Sequence, residues 1–335
     1  MKKYMLLLFI LLVALLTSCN LDNQGIFAEV LDRVPSDNRR ISLIGRSGDF
    51  VYFSSVNGIE SYNLVSGEYT TIDGSAEAKK SNRFILDGDQ IIYFVESANS
   101  TTVKYDGYYS INISTKEKKS LDGSANTDIF CGAFDEYLIK KNGNVVSTDV
   151  DANNNISFTP KATAYSNTRF VKNIDDILVY TKSASGIPDT SYLEYYYFKN
   201  NTLNQITTGS DLGVLRSVAK DASYTVLTFS KTNEGTSFYK LNNDFSLTKI
   251  TSISTVYQKD FASFIDNGNL YYAYDGSSSF NKLTLSATPS FTTTTISKIS
   301  TVSIIGYFKV GDNYKICTTN NGFFTLSVSG TPKIL

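Results

Sequence analysis

Three pairs, Ser217–Lys220, Ser246–Lys249 and Ser279–Lys282, have the Ser-x-x-Lys spacing with which a lysine activates a serine nucleophile. That chemistry needs the two side chains one turn apart on a helix. On a strand, residues i and i+3 point to opposite faces, and all three pairs lie in strand or turn sequence. The spacing is then coincidence. A second candidate is Asp149-x-Asp151-x-Asn153-x-Asn155, which begins like a calcium loop. Its sixth position is Asn154 rather than Gly, and its twelfth is Pro160 rather than Glu. A polar hairpin turn accounts for the same residues. Calcium is therefore a weak candidate, and no other cofactor is expected.

The chain has no histidine and no tryptophan. Without histidine there is no Ser-His-Asp or Cys-His arrangement, no imidazole acid–base catalysis and little scope for catalytic zinc. Without tryptophan there is no WD repeat signature and no Asp-box ending in Thr-Trp. What remains is recognition chemistry. Arginine offers a planar fork for carboxylate or phosphate, and the chain has only seven. Arg83, Arg169 and Arg216, with Tyr105, Tyr108 and Tyr192 as rigid contact area, are the candidate binding residues. The competing reading makes each arginine a loop clip on a nearby acid such as Asp73, Asp211 or Glu77.

The elements that must position these groups follow from a repeat. Composition favours strand, with 23 Tyr and 21 Phe among many Thr, Val and Ile. A turn followed by an apolar strand recurs as SGDFVYF (47–53), DGDQIIYF (87–94), FDEYLIKK (134–141), IDDILVYT (174–181), KDASYTVLTF (220–229), DNGNLYYAY (266–274) and VGDNYKICT (310–318). These second strands begin near residues 50, 90, 137, 177, 224, 270 and 314, a period of about 44 residues. A shorter strand precedes each, and a hairpin ending in a Thr/Lys-rich strand follows. Four strands per 40–47 residues is the propeller period. The expected fold is all-β, a seven-bladed propeller of four-stranded antiparallel blades over residues 41–335, with six or eight blades as alternatives. Each blade has two apolar faces and must stack on two neighbours, so the ring closes. The recurring aspartates (Asp49, Asp89, Asp135, Asp175, Asp221, Asp266, Asp312) read as turn formers rather than catalytic carboxylates. Arg39, Arg40, Arg83, Arg169 and Arg216 fall at or just before inner strands, at the end carrying the long breaks ESANSTTVKYDG and KSASGIPDTS.

The first residues, MKKYMLLLFILLVALLTSCN, carry two lysines and then an apolar run of 12 residues, Met5–Leu16. A membrane-spanning helix needs about 20. Leu16-Thr17-Ser18-Cys19 resembles the lipobox of bacterial lipoproteins. That resemblance implies cleavage after residue 18, acylation of Cys19 and attachment to the cell envelope. Asn20 rather than Asp follows, which favours the outer membrane where a cell has two. Residues 19–40 read as a tether, either a short helical face or a closing strand. The blade pattern in turn resembles bacterial propellers of the TolB and dipeptidyl-peptidase type in repeat shape, without a signature motif.

Net charge is −1, so no cationic field favours nucleic acid. Cys131 and Cys317 do not make a disulfide framework. The expected function is a non-catalytic, membrane-anchored propeller that binds a protein or an anionic glycan. The alternatives are a polysaccharide lyase or glycosidase using carboxylates and tyrosines in the channel, and a scaffold for outer-membrane assembly.

Overall fold

The computed structural model describes residues 40–97, 105–123, 128–165, 168–182, 193–206, 211–274, 279–295, 304–320, 322–327 and 333–334. The signal-like segment, Cys19, residues 20–39 and Tyr192 lie outside the described residues. Seven four-stranded antiparallel sheets follow one another along the chain and form a propeller. Blade 1 holds β1 (Ser42–Ser47), β2 (Phe50–Ser55), β3 (Gly58–Asn63) and β4 (Tyr69–Asp73). Blade 2 holds β5 (Arg83–Asp87), β6 (Gln90–Glu96), β7 (Tyr105–Asn112) and β8 (Lys118–Leu121). Blade 3 holds β9 (Phe130–Phe134), β10 (Tyr137–Lys140), β11 (Val145–Val150) and β12 (Ile156–Ala162). Blade 4 holds β13 (Thr168–Ile174), β14 (Ile177–Lys182), β15 (Leu193–Lys199) and β16 (Thr202–Gln205). Blade 5 holds β17 (Val214–Lys220), β18 (Thr225–Lys231), β19 (Gly235–Leu241) and β20 (Leu247–Ile253). Blade 6 holds β21 (Ser263–Asp266), β22 (Asn269–Tyr272), β23 (Ser279–Thr284) and β24 (Phe291–Thr295). Blade 7 holds β25 (Ile304–Val310), β26 (Asn313–Thr318), β27 (Gly322–Ser327) and β28 (Lys333–Ile334). The first strands of the blades neighbour one another from β1 through β5, β9, β13, β17 and β21 to β25 and back to β1, which closes the ring around an axis.

Local chemistry explains the repeated hairpin. The turn between first and second strands needs left-handed residues for the twist of the pair. Gly48, Gly88, Asp135 (φ 46°), Asp175 (φ 49°), Asn267 and Gly311 supply them. In blade 5 Asp221 instead accepts the amides of Ser223 (2.7 Å) and Tyr224 (2.6 Å). Asp135, Asp175 and Asp221 are therefore turn formers.

Packing explains why the second strands read as apolar runs. Each is buried on both faces, so successive residues serve different interfaces. Tyr52 packs toward blade 2 with Ile91 and Tyr93, whereas Val51 and Phe53 pack toward blade 7 with Cys317. Ile92 and Phe94 meet Phe130 and Leu138 of blade 3, while Ile139 meets Leu178 and Tyr180 of blade 4. Phe264, Tyr271, Phe280, Tyr307 and Tyr314 fill the boundary of blades 6 and 7 with stacked and edge-on rings. The outer strands are polar and wet. The first three residues of β4 and of β24 are exposed, which suits edges that must not recruit other strands.

A short helix, α1 (Ala76–Lys80), fills the step from blade 1 to blade 2. Ser75 caps it by accepting the Ala78 amide, and Ala78 buries against both blades. Asp73 takes the Tyr93 hydroxyl at 2.5 Å and the Ser75 amide at 2.9 Å. Lys118 donates to Ser75 Oγ and Glu77, both at 2.9 Å. Asp211 accepts the Gly213 amide at 3.0 Å and lies 3.5 Å from Lys231. The three acids that the clip reading assigned to arginines are held by these groups.

Candidate functional site at the channel axis

The inner strands carry a feature that no pattern announced. Pairing skips one residue in five of them, at Ile44, Cys131, Val171, Arg216 and Ile305. Such a bulge bends a strand and increases its twist. It also resets the alternation of side chains. Arg169 and Lys172 are three apart and would face opposite ways on a regular strand, but the bulge at Val171 brings them into phase.

The result is a charged group between blades 4, 5 and 6. Lys172 Nζ lies 2.6 and 2.7 Å from the two oxygens of Asp260 and donates to the Leu215 carbonyl at 2.6 Å. Arg216 Nη1 reaches the same carboxylate at 3.4 Å. Burial lowers the Lys172 ammonium below the usual lysine range; Asp260 opposes this and Arg216 adds to it. Arg216 Nε is buried and has no acceptor among the described residues. Arg216 and Asp260 border a cavity of about 480 Å³ on the axis, which Asp175 also lines, together with Leu43, Val218, Phe261, Ile304 and Ile305.

The other sequence candidates take different places. Arg83 donates through Nε to the Phe130 carbonyl at 3.3 Å and through Nη1 to the Asn82 carbonyl at 2.9 Å. The Tyr105 hydroxyl accepts the Phe130 amide at 3.1 Å, so Arg83 and Tyr105 clamp one residue of β9 from both sides. Tyr108 is buried in the ring cluster of Phe94, Tyr105 and Phe158. Arg169 is exposed, with no side-chain partner among the described residues. Structure thus joins Arg216 to Lys172 and Asp260, joins Arg83 to Tyr105, and leaves the three arginines apart in role. Lys172 escaped the sequence reading because only a bulge puts it in phase with Arg169 and beside Asp260.

Asp151 accepts the amides of Asn153 and Asn155, both at 2.8 Å, and the side-chain amide of Asn155 at 2.7 Å. Asp149 lies on β11, exposed and opposite Ser157. No cluster of metal-binding side chains occurs among the described residues. The Ser217–Lys220 pair separates: Ser217 hydrogen-bonds Ser263, whereas Lys220 pairs with Asp176.

At the opposite end of the channel the charge reverses. Asp135 and Asp175 stand at turns, and their carboxyls are held above the usual range. Desolvation is the first cause for both; Asp176 and Glu136 add to it at Asp135, and Asp176 and Asp135 at Asp175, while Lys220 opposes it at both.

No protein-family profile matches the sequence, and no curated relative does. Solved structures match in shape. Virginiamycin B lyase from Staphylococcus aureus, solved as a catalytically inactive histidine-to-alanine variant with quinupristin, is 11% identical, with a TM-score of 0.54 over 88% of this chain and 96% of that one. A streptogramin B lyase is 10% identical, with a TM-score of 0.52 over 85% and 92%. The propeller domain of the trilobed protease from Pyrococcus furiosus is 12% identical, with a TM-score of 0.49 over 88% and 97%. The two lyase likenesses carry the propeller fold and nothing finer.

Proposed function

We propose that this chain is a non-catalytic binding propeller of the bacterial cell envelope. It is tethered through acylated Cys19, in the outer membrane where there are two, and meets a protein or an anionic glycan at the Arg169–Arg216 end of the ring. The observation that carries the reading is the charge count at that end. Lys172 and Arg216 face one carboxylate, Asp260, and Arg216 keeps a buried donor without an acceptor. Buried cationic donors left in that state favour an incoming anion.

A polysaccharide lyase or glycosidase would need paired carboxylates where the sugar sits. Two acids, Asp175 and Asp260, line the cavity, but Lys172 holds both Asp260 oxygens and Asp175 serves the β13–β14 turn. The lyase neighbours lend no chemistry either. One of them is inactive as a histidine-to-alanine variant, and this chain has no histidine. The assembly-scaffold reading remains a matter of partner identity.

Two measurements test the proposal. In detergent phase partitioning, wild type should enter the detergent phase and the Cys19→Ala protein should not; mature wild type in the aqueous phase would end the tether. Arg169→Gln/Arg216→Gln should weaken capture of acidic glycans or envelope proteins from intact cells by about tenfold, with a shallower salt dependence. Unchanged capture by that variant would move the binding face elsewhere. Arg83 belongs in a separate variant, because its loss unclamps Phe130 and lowers stability.

A further inference from the structure

We infer that the axial cavity is a site for a small amphipathic monocarboxylate, a single carboxylate carrying an apolar alkyl or aryl body. The inference rests on the reading of the Arg216 end as the ligand-facing end and narrows it to a ligand that enters the channel.

The geometry of the guanidinium selects the head group. Arginine presents two edges to acceptors, one through its two Nη atoms and one through Nε and Nη2. Asp260 engages Nη1 at 3.4 Å. Nε has no acceptor among the described residues, and no bond to Nη2 occurs among them either. One side-on edge is therefore left, and it fits the two oxygens of a single carboxylate. Charge gives the same answer. Lys172, Arg216 and Asp260 sum to one positive charge, and Asp175 also lines the cavity, so the site balances at most a monoanion. A dianionic phosphate would exceed it and face Asp260.

The walls select the rest of the ligand. Leu43 on β1, Ile304 and Ile305 on β25, Val218 on β17 and Phe261 before β21 present apolar surface to the same cavity. Its volume of about 480 Å³ lies within the range of small-molecule sites, roughly 300–1,000 Å³. The bulges at Arg216 and Ile305 place a cation and an apolar side chain on the lining of one cavity. A second cavity of about 440 Å³, at the turns of blades 5 to 7, makes a useful contrast. There Asp266 already accepts Lys309 at 2.7 Å and Tyr314 at 3.2 Å, and Lys220 pairs with Asp176. Its charged groups are thus already engaged, and no arginine lines it.

The test is calorimetric titration of the mature, lipidated protein in detergent with 4-phenylbutyrate, with 4-phenylbutanol and phenylbutylphosphonate as controls and empty micelles as blank. The carboxylate should bind at least about tenfold tighter than the alcohol, which can make no charge-assisted bond to Arg216, and about tenfold tighter than the phosphonate titrated at a pH where it is dianionic, because its second charge faces Asp260. Arg216→Gln should remove that preference and leave the alcohol's weak affinity unchanged. Arg216→Lys keeps the charge but not the fork and should also lose about tenfold. It serves in place of Arg216→Gln if that protein does not fold, as judged by its melt. Ile305→Ala should weaken acid and alcohol alike. Equal affinity for carboxylate and phosphonate, or full affinity in Arg216→Lys, would overturn the assignment. So would the absence of any saturable binding to wild type. Capture of acidic glycans that persists without phenylbutyrate binding would sink this site alone; loss of both in wild type would sink the wider proposal.

Discussion

Asp175 occupies the left-handed corner of the β13–β14 hairpin, with φ at 49°. Its carboxyl is held above the usual range by desolvation first, and then by Asp176 and Asp135. A carboxyl raised by folding stays protonated in the native state over a pH window in which the unfolded chain has already released its proton. The contribution is complete below the unfolded value and is lost as pH climbs through the native value. Asp175→Asn keeps a residue that tolerates the left-handed corner and removes the charge. Its melting midpoint should exceed wild type by about 1–3 °C at pH 7, and the two should converge at acid pH. The increment is small because the residue as a whole stays solvent-accessible at its turn, although its carboxyl is partly desolvated. A variant that melts lower at pH 7, or runs parallel to wild type at all pH values, would refute the account. The two thiols divide just as sharply. Cys131 is the exposed bulge residue of β9, while Cys317 is fully buried and its thiol is pushed well above the ordinary range by burial. Maleimide should label the folded Cys19→Ala protein once, at Cys131, and should reach Cys317 only in denaturant. Rapid labelling of a folded Cys131→Ser variant would place Cys317 wrongly.

At the scale of the element, each third strand must start beneath the end of the fourth. Gly235 opens β19 with φ at 95°, and a Cβ there would lie 2.1 Å from the Ile253 carbonyl oxygen. Gly58 opens β3 in the same way beneath Asp73, also at 2.1 Å. Gly235→Ala therefore meets both backbone strain and a clash, and should cost about 2–4 kcal/mol in urea unfolding. Gly48→Ala, in an open turn with nothing within 4 Å, should cost about 1 kcal/mol. Equal losses would mean that the clash relaxes away. The same level of organisation decided what could be read from the sequence. Second strands start at residues 50, 90, 137, 177, 225, 269 and 313, within one residue of the reading, because a corner-forming turn and two buried faces both mark the chain there. Bulges leave no such mark, since one unpaired residue changes no composition. Lys172 was missed for that reason. Tyr105 and Tyr108 follow a polar break and read as contact area for a ligand. Whether such a tyrosine turns outward or into the interface is settled by Phe94, Phe130 and Phe158, which come from two blades.

At the scale of the whole molecule, closure is the remaining problem. Every blade is made of four consecutive strands, so among the described residues no strand from one end of the ring completes a sheet at the other. The seam between blades 7 and 1 is held by side chains and a few backbone bonds. Tyr62 stacks on Phe323 at 4.1 Å with the rings 5° apart, and the Phe323 amide donates to the Tyr69 hydroxyl at 3.3 Å. The Ile41 amide donates to the Thr319 carbonyl at 2.7 Å, and Ile41, Val51 and Phe53 bury with Cys317. An open array of blades loses cooperativity because each unit then answers only to its neighbours. Phe323→Ala removes the ring that joins Tyr62, Tyr69 and Phe53 across the seam. It should cost about 2–4 kcal/mol and, unlike a loss inside a blade, should lower the urea m-value, since the ring now opens at one place before it unfolds. Phe238→Ala, at the boundary of blades 5 and 6, is the control: comparable destabilisation with the m-value kept. If both variants keep the wild-type slope, the seam is no weaker than any other boundary and the ring unfolds as one unit.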